Sequence, residues 1–256
     1  MRGGTKSPIL TIMFRQLILL PVAAILHASP LLAEVIFSDS FSYDLPDRAP
    51  LTGEAAAGTP GMPWKTVIEE PAARILIGQE GDNKFLLLAD SRQKPREEIY
   101  AFFDRLMVSH GATIYYGATI TPTKANDKPE SGRLMSFSTS DKRGEGVTRA
   151  RLSLWMVDGT VALGIDSDGT LAEGSRRFPP KEPIRVVVRY SLGGGSQLWA
   201  GKPGALVEGD DLIAESPGHR KDPFSCIWIG IPSNAALELD DLVIATTWEE
   251  AASVAK

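Results

Sequence analysis

The chain has 256 residues, 27 Lys and Arg against 32 Asp and Glu, and a net charge of −5. An acidic chain without a basic stripe argues against nucleic acid, whose binding rests on cations neutralising phosphates, and against anionic membrane surfaces for the same reason. A hydrophobic share of 43% beside 23% charged residues excludes wholesale disorder, and the length suits one domain of about 200–250 residues or two small ones.

Residues 1–33 read as a secretory signal. Arg15 precedes the apolar run Leu17 to Leu26, which meets His27, Ser29 and Pro30 and ends at Leu31-Leu32-Ala33. A positive start, a short apolar stretch and a small residue at the cut form the export pattern. A spanning helix needs about 20 predominantly apolar residues, and Pro21, His27 and Pro30 interrupt this one. Cleavage after Ala33 is therefore expected, leaving 34–256 as a single secreted, periplasmic or cell-envelope domain with no stable membrane span. Met13 offers an alternative start.

From Glu34 the chain is a series of short apolar or alternating runs: Val35–Phe37, Ile75–Ile77, Phe85–Leu88, Ile99–Val108, Thr113–Thr121, Leu134–Ser138, Ala150–Val157, Val161–Ile165, Ile184–Tyr190, Gln197–Ala200, Ile227–Ile231 and Leu237–Ala245. Gly and Pro punctuate them, which predicts an all-β antiparallel sandwich or barrel. Period two puts Ala150, Leu152, Leu154 and Met156 on one face and Arg149, Arg151, Ser153 and Trp155 on the other. It separates Ile184, Val186, Val188 and Tyr190 from Arg185, Val187 and Arg189 in the same way. Asp158-Gly159 predicts a type I′ hairpin. No amphipathic helix is expected, and Leu45–Gly61, Pro122–Gly132 and Gly201–Pro223 read as long loops.

Cys226 is the sole cysteine, so no intramolecular disulfide forms. It stands in an apolar strand and reads as a buried, inert thiol. With His110 and His219 the histidines outside the leader, no zinc spacing is present. Gly194-Gly195-Ser196 lacks the closing glycine of a nucleophile elbow. Asp166-Ser167-Asp168-Gly169 begins like a calcium loop but lacks the distal ligands, and reads as a β-turn.

The closing run Leu237-Glu238-Leu239-Asp240-Asp241-Leu242-Val243-Ile244-Ala245-Thr246-Thr247-Trp248 resembles the last strand of bacterial concanavalin A-like jelly-roll domains, among them the laminin-G-like domains of exported proteins. Phe37-Ser38-Asp39-Ser40-Phe41 is similar to their opening strand, and Pro183–Tyr190 followed by Leu198-Trp199-Ala200-Gly201 to their central pair. The resemblance spans Val35 to Trp248. It implies a β-sandwich jelly roll whose concave face binds glycans or holds an active site. Hydrolases of that group need Glu-x-Asp-x-x-Glu on one strand, and Val243 stands where the last Glu should be, so the retaining pair of carboxylates is missing. The resemblance also implies a structural calcium between the first and last strands, with Asp39 and Asp240 as its ligands.

Glycan binding calls for aromatic rings against sugar faces and polar groups on the hydroxyls. Tyr115, Arg151, Ser153, Trp155 and Trp228 are the candidates for such a platform. The expected function is thus a non-catalytic glycan-binding or envelope domain with a polysaccharide partner. The alternatives are a divergent polysaccharide hydrolase or lyase using acids of Glu208–Glu215, and a structural envelope protein with no small ligand.

Overall fold

The computed structural model describes residues 34–51, 64–66, 75–88, 98–103, 112–129, 132–139, 147–219, 224–232 and 234–254. The leader and its expected cut at Ala33 lie outside the described residues. So do 52–61 of the first expected loop and 104–108 of the run Ile99–Val108.

The described residues form β1 (Val35–Asp39), β2 (Lys65–Thr66), β3 (Ile75–Glu80), β4 (Asn83–Leu88), β5 (Glu98–Phe102), β6 (Thr113–Lys124), β7 (Arg133–Ser138), β8 (Thr148–Val157), β9 (Thr160–Asp166), β10 (Leu171–Phe178), β11 (Ile184–Ser191), β12 (Gly195–Gly201), β13 (Leu212–Ser216), β14 (Cys226–Gly230), β15 (Ala236–Ala245) and the short helix α1 (Trp248–Ala252). One sheet has eight strands in the order β13-β12-β11-β6-β15-β4-β3, with β1 also paired to β15; the other has seven in the order β10-β9-β8-β7-β14-β5-β2. The pairings are antiparallel, and the fold is the all-β sandwich that the sequence predicts.

Alternation decides the two faces of each strand. Ala150, Leu152 and Leu154 of β8 and Ile184, Val186, Val188 and Tyr190 of β11 enter one apolar core between the sheets, as expected from period two. Aromatic contacts bridge its middle: Tyr116 meets Phe137 edge-on at 5.1 Å, and Phe137 stacks on Phe224 at 5.7 Å. The β8–β9 hairpin turns through Asp158 (φ 48°) and Gly159 (φ 79°), the two left-handed positions of a type I′ turn.

Four expectations need correction. The expected loop Gly201–Pro223 contains β13, and β6 runs through Lys124 into the expected loop Pro122–Gly132. Strand β10 has no counterpart in the predicted runs, because it is an edge strand with four of its eight residues polar or charged and little apolar alternation. A helix also forms: Thr247 caps α1, its hydroxyl accepting the Glu250 N–H and donating to the Glu250 carboxylate at 2.9 Å. Its five residues are too few to show a 3.6-residue period.

Strand β15 carries a bulge that its sequence encodes. Asp240 pairs with Thr119 and Val243 with Gly117, so three steps on β15 match two on β6. Asp241, at φ 50°, is the extra residue. The inward positions accordingly shift phase, from Leu237 and Leu239 to Leu242 and Ile244.

Candidate functional site

On the seven-stranded sheet the side of β8 away from the core carries Arg149, Arg151, Ser153 and Trp155. Register pairs Arg151 with Asp166, Ser153 with Gly164 and Trp155 with Ala162 of β9. The Trp155 indole lies against Gly164, where a Cβ would come 3.0 Å from its Cη2. Glycine is needed there because any side chain would lift the ring off the sheet. Trp155 is buried, at 3% exposure.

Beyond Gly164, β10 pairs Glu173 with Gly164 but Arg177 with Ala162, so two extra residues bulge out of β10. Gly174 sits at the start of this bulge because a Cβ would strike Ile213 and the Leu163 carbonyl. The bulge and the β8–β9 hairpin enclose an open groove of about 670 Å³ lined by Val157, Asp158, Thr160, Glu173, Ser175 and Arg177. Thr160 Oγ1 donates to the Val157 carbonyl at 2.7 Å, which leaves its lone pairs to accept. Arg177 donates to the Gly174 carbonyl at 2.9 Å and pairs with Glu173. The groove therefore collects hydroxyl, carboxylate and guanidinium groups, with Val157 as its apolar side chain.

The candidate residues from sequence do not all converge. Arg151, Ser153 and Trp155 share this outer face. Arg151 is ion-paired with Asp166, which also accepts the Gly169 N–H at 2.6 Å. Trp228 is on the same sheet but separated from β8 by β7; it stacks on Tyr100 at 5.8 Å and is 9% exposed. Tyr115 belongs to the other sheet. There it packs with Val187, Trp199 and Ala251 beneath α1, and burial raises its hydroxyl pKa against the lowering hydrogen bond and charge of Arg189. The groove residues Asp158, Thr160, Glu173, Ser175 and Arg177 are absent from the sequence candidates, since seeing them together requires β10.

Asp39 and Asp240 were expected as calcium ligands. Asp39 is buried and its carboxylate is already engaged: Oδ1 accepts the Phe41 N–H at 2.7 Å, and Oδ2 accepts the Trp64 indole N–H at 2.6 Å and the Tyr43 hydroxyl. A carboxylate committed to three donors does not fit calcium, which takes six to eight oxygens. Among the described residues no three His, Cys, Asp or Glu side chains gather as a metal site. The Asp166-Asp168 turn is likewise neutralised by arginine, with Arg149 Nε 3.3 Å from Asp168 Oδ1.

Asp240 is half-buried on the outer side of β15, and its pKa rises from 3.8 to about 6. Burial is the largest cause and the neighbouring Asp241 charge the next, opposed by hydrogen bonds from the Asp241 N–H and Asn83; Asp39 adds a small rise. A carboxyl raised in the folded state keeps its proton between about pH 4 and 6, where the unfolded chain has lost it. Its contribution to stability is thus full below pH 4 and is lost as pH rises through 6. Asp240→Asn should match the parent near pH 4 and exceed it increasingly up to pH 7. Urea unfolding midpoints across that range check this, and a difference that does not change with pH would refute it.

The acids weighed for hydrolysis are dispersed or engaged. Glu238 is on β15 with its pKa raised by burial and by Glu80. Asp211 is paired with Arg176, and Glu215 accepts from Gln197. Cys226 is buried, its thiol directed to the Ser138 carbonyl at 3.2 Å. No helix among the described residues is long and apolar enough to cross a membrane.

No family model matches the chain, and no curated protein sequence matches it. Solved structures do. The T. cruzi calreticulin globular domain superposes with a TM-score of 0.51 at 13% identity, over 86% of this chain and 90% of that one. The PL-14 alginate lyase of Aplysia kurodai gives 0.50 at 12% identity, over 84% and 100%. The receptor binding domain of botulinum neurotoxin D gives 0.46 at 10% identity, over 83% and 49%. At such identities the first two establish a shared fold, a lectin-like β-sandwich, and nothing about chemistry.

Proposed function

We propose that the protein is an exported, non-catalytic glycan-binding protein of concanavalin A-like kind, acting in the cell envelope or outside the cell. The ligand is an oligosaccharide or polysaccharide segment held on the outer face of the seven-stranded sheet. The observation that carries this reading is the groove between the β8–β9 hairpin and the β10 bulge. Its volume, about 670 Å³, is within the usual range for small-ligand sites, roughly 300–1,000 Å³. Sugar hydroxyls are both donors and acceptors, so they suit a mixed lining of Thr160, Ser175, Asp158 and Arg177. The sandwich keeps these groups on paired strands, which lowers the ordering cost of binding. The fold neighbours support the reading only in that a carbohydrate-processing enzyme, the alginate lyase, uses the same architecture.

The test is a glycan array probed with the intact protein and with Ser175→Trp. Ser175 is exposed, so the larger ring fills the groove without entering the core. The parent should bind at least one glycan and the variant should lose about tenfold or more in affinity, the scale of one blocked contact set. Chelation with EDTA should change neither, since the Asp39 carboxylate is committed to protein donors. A folded parent that binds no glycan, or a variant that binds equally well, would refute the proposal.

A further inference from the structure

We infer that this groove selects uncharged sugars and discriminates against glycans bearing carboxylates, an inference that rests on the glycan-binding reading of the same site. It follows from where each charge on this face is spent. Arg149 is paired with Asp168, Arg151 with Asp166 and Arg177 with Glu173. Arg177 is the one cation among the described residues that line the groove. Its guanidinium is further occupied, donating to the carbonyls of Gly174 at 2.9 Å and Arg176 at 3.3 Å. Asp158, at the tip of the hairpin, adds a second carboxylate with no cation of the lining left to balance it. The lining thus carries two anions and one cation.

A carboxylated sugar entering this groove would have to displace Glu173 from Arg177 and approach Asp158, so it meets like charge at both ends. A neutral sugar meets no such cost. Its hydroxyls donate to Glu173 and Asp158 as charge-assisted hydrogen bonds and leave the Arg177–Glu173 pair in place. The ligand class is therefore a neutral hexose- or pentose-based glycan. Uronates and sialates are disfavoured by electrostatics rather than by shape.

The experiment prints neutral oligosaccharides, each beside its C6-oxidised uronate counterpart, and probes them with the intact protein at low and high salt. The expected result is that every bound neutral sugar outcompetes its uronate by about fivefold or more at low salt, with the gap narrowing as salt screens the groove. Glu173→Gln and Asp158→Asn should each narrow the gap by roughly two- to fivefold. Both side chains are on the surface, and Asn tolerates the left-handed backbone at 158 (φ 48°), so folding is preserved. Equal or tighter binding of uronates would overturn the charge selection while leaving the glycan site intact. A gap that neither variant changes would also overturn it. A folded protein that binds no sugar of either kind would overturn both readings together.

Discussion

Asp39→Ala should cost about 5 kcal/mol of folding stability. Asp39 is buried at the end of β1, and three donors converge on its carboxylate: the Phe41 N–H, the Tyr43 hydroxyl and the Trp64 indole N–H. These donors come from the chain following β1 and from the entry to β2, so one side chain ties the opening strand of the eight-stranded sheet to an edge of the seven-stranded one. Trp64 in turn packs edge-on to Phe37 at 5.6 Å and against Phe41 at 6.0 Å. Removing the carboxylate strands three buried donors, each worth about 1–3 kcal/mol when left unsatisfied. Asp39→Asn keeps one acceptor oxygen and should cost roughly half as much. Denaturant unfolding followed by tryptophan emission measures both. A loss below about 1 kcal/mol for Asp39→Ala would mean that the network does not hold the N-terminal segment.

Arg185→Met should cost about 3–4 kcal/mol and release α1 from the sheet. Arg185 has no solvent exposure, although it projects from the outer side of β11. It is covered by α1, and its guanidinium donates to the Ala251 carbonyl at 2.6 Å and to the Asp241 carbonyl at 2.9 Å. The first of these satisfies a carbonyl in the last turn of the helix, where no backbone donor remains; the second satisfies the β15 bulge. Burial lowers the Arg185 pKa to about 10, opposed by the charges of Asp241 and Asp240, so the group remains a cation at neutral pH. Methionine fills much of the volume and supplies no donor. Gly117 belongs to the same dock, because a Cβ there would collide with the Ala251 carbonyl oxygen. Undocking would separate Trp248 from Trp199, now in ring contact at 4.9 Å, and shift their emission to longer wavelength. An Arg185→Met protein with unchanged emission and stability would show that α1 is held by its aromatic contacts alone.

Much of this sandwich was legible because its strands are half-buried. Where one face meets the core, period two appears in the residues themselves, as in Ile184 to Tyr190 and Ala150 to Met156. The β15 bulge is legible in principle too, in the slip of apolar phase between Leu239 and Leu242. Strand β10 escaped because an edge strand facing solvent has no need of alternation. With it went the groove, whose Glu173, Ser175 and Arg177 look like ordinary surface residues until the bulge places them opposite the hairpin.

The site residues show the opposite limit. Alternation put Arg151, Ser153 and Trp155 on one face, and they share it. It could not say which sheet a strand joins, so Tyr115 and Trp155 looked like partners although β6 and β8 belong to different sheets. Nor could residue types reveal that Asp39 is committed to three donors, since those partners are brought together by the fold.

The central claim is that a glycan binds in the groove on the seven-stranded sheet, the sheet to which Trp155 of β8 belongs, and the most direct measurement is indole N–H NMR of the intact protein. The five tryptophans give separate reporters for the two sheets. Titration with the neutral oligosaccharide that the array ranks first should shift the Trp155 signal and leave Trp199 and Trp248, under α1 on the other sheet, in place. Movement of Trp199 and Trp248 with Trp155 unmoved would contradict the claim and put the ligand on the eight-stranded sheet.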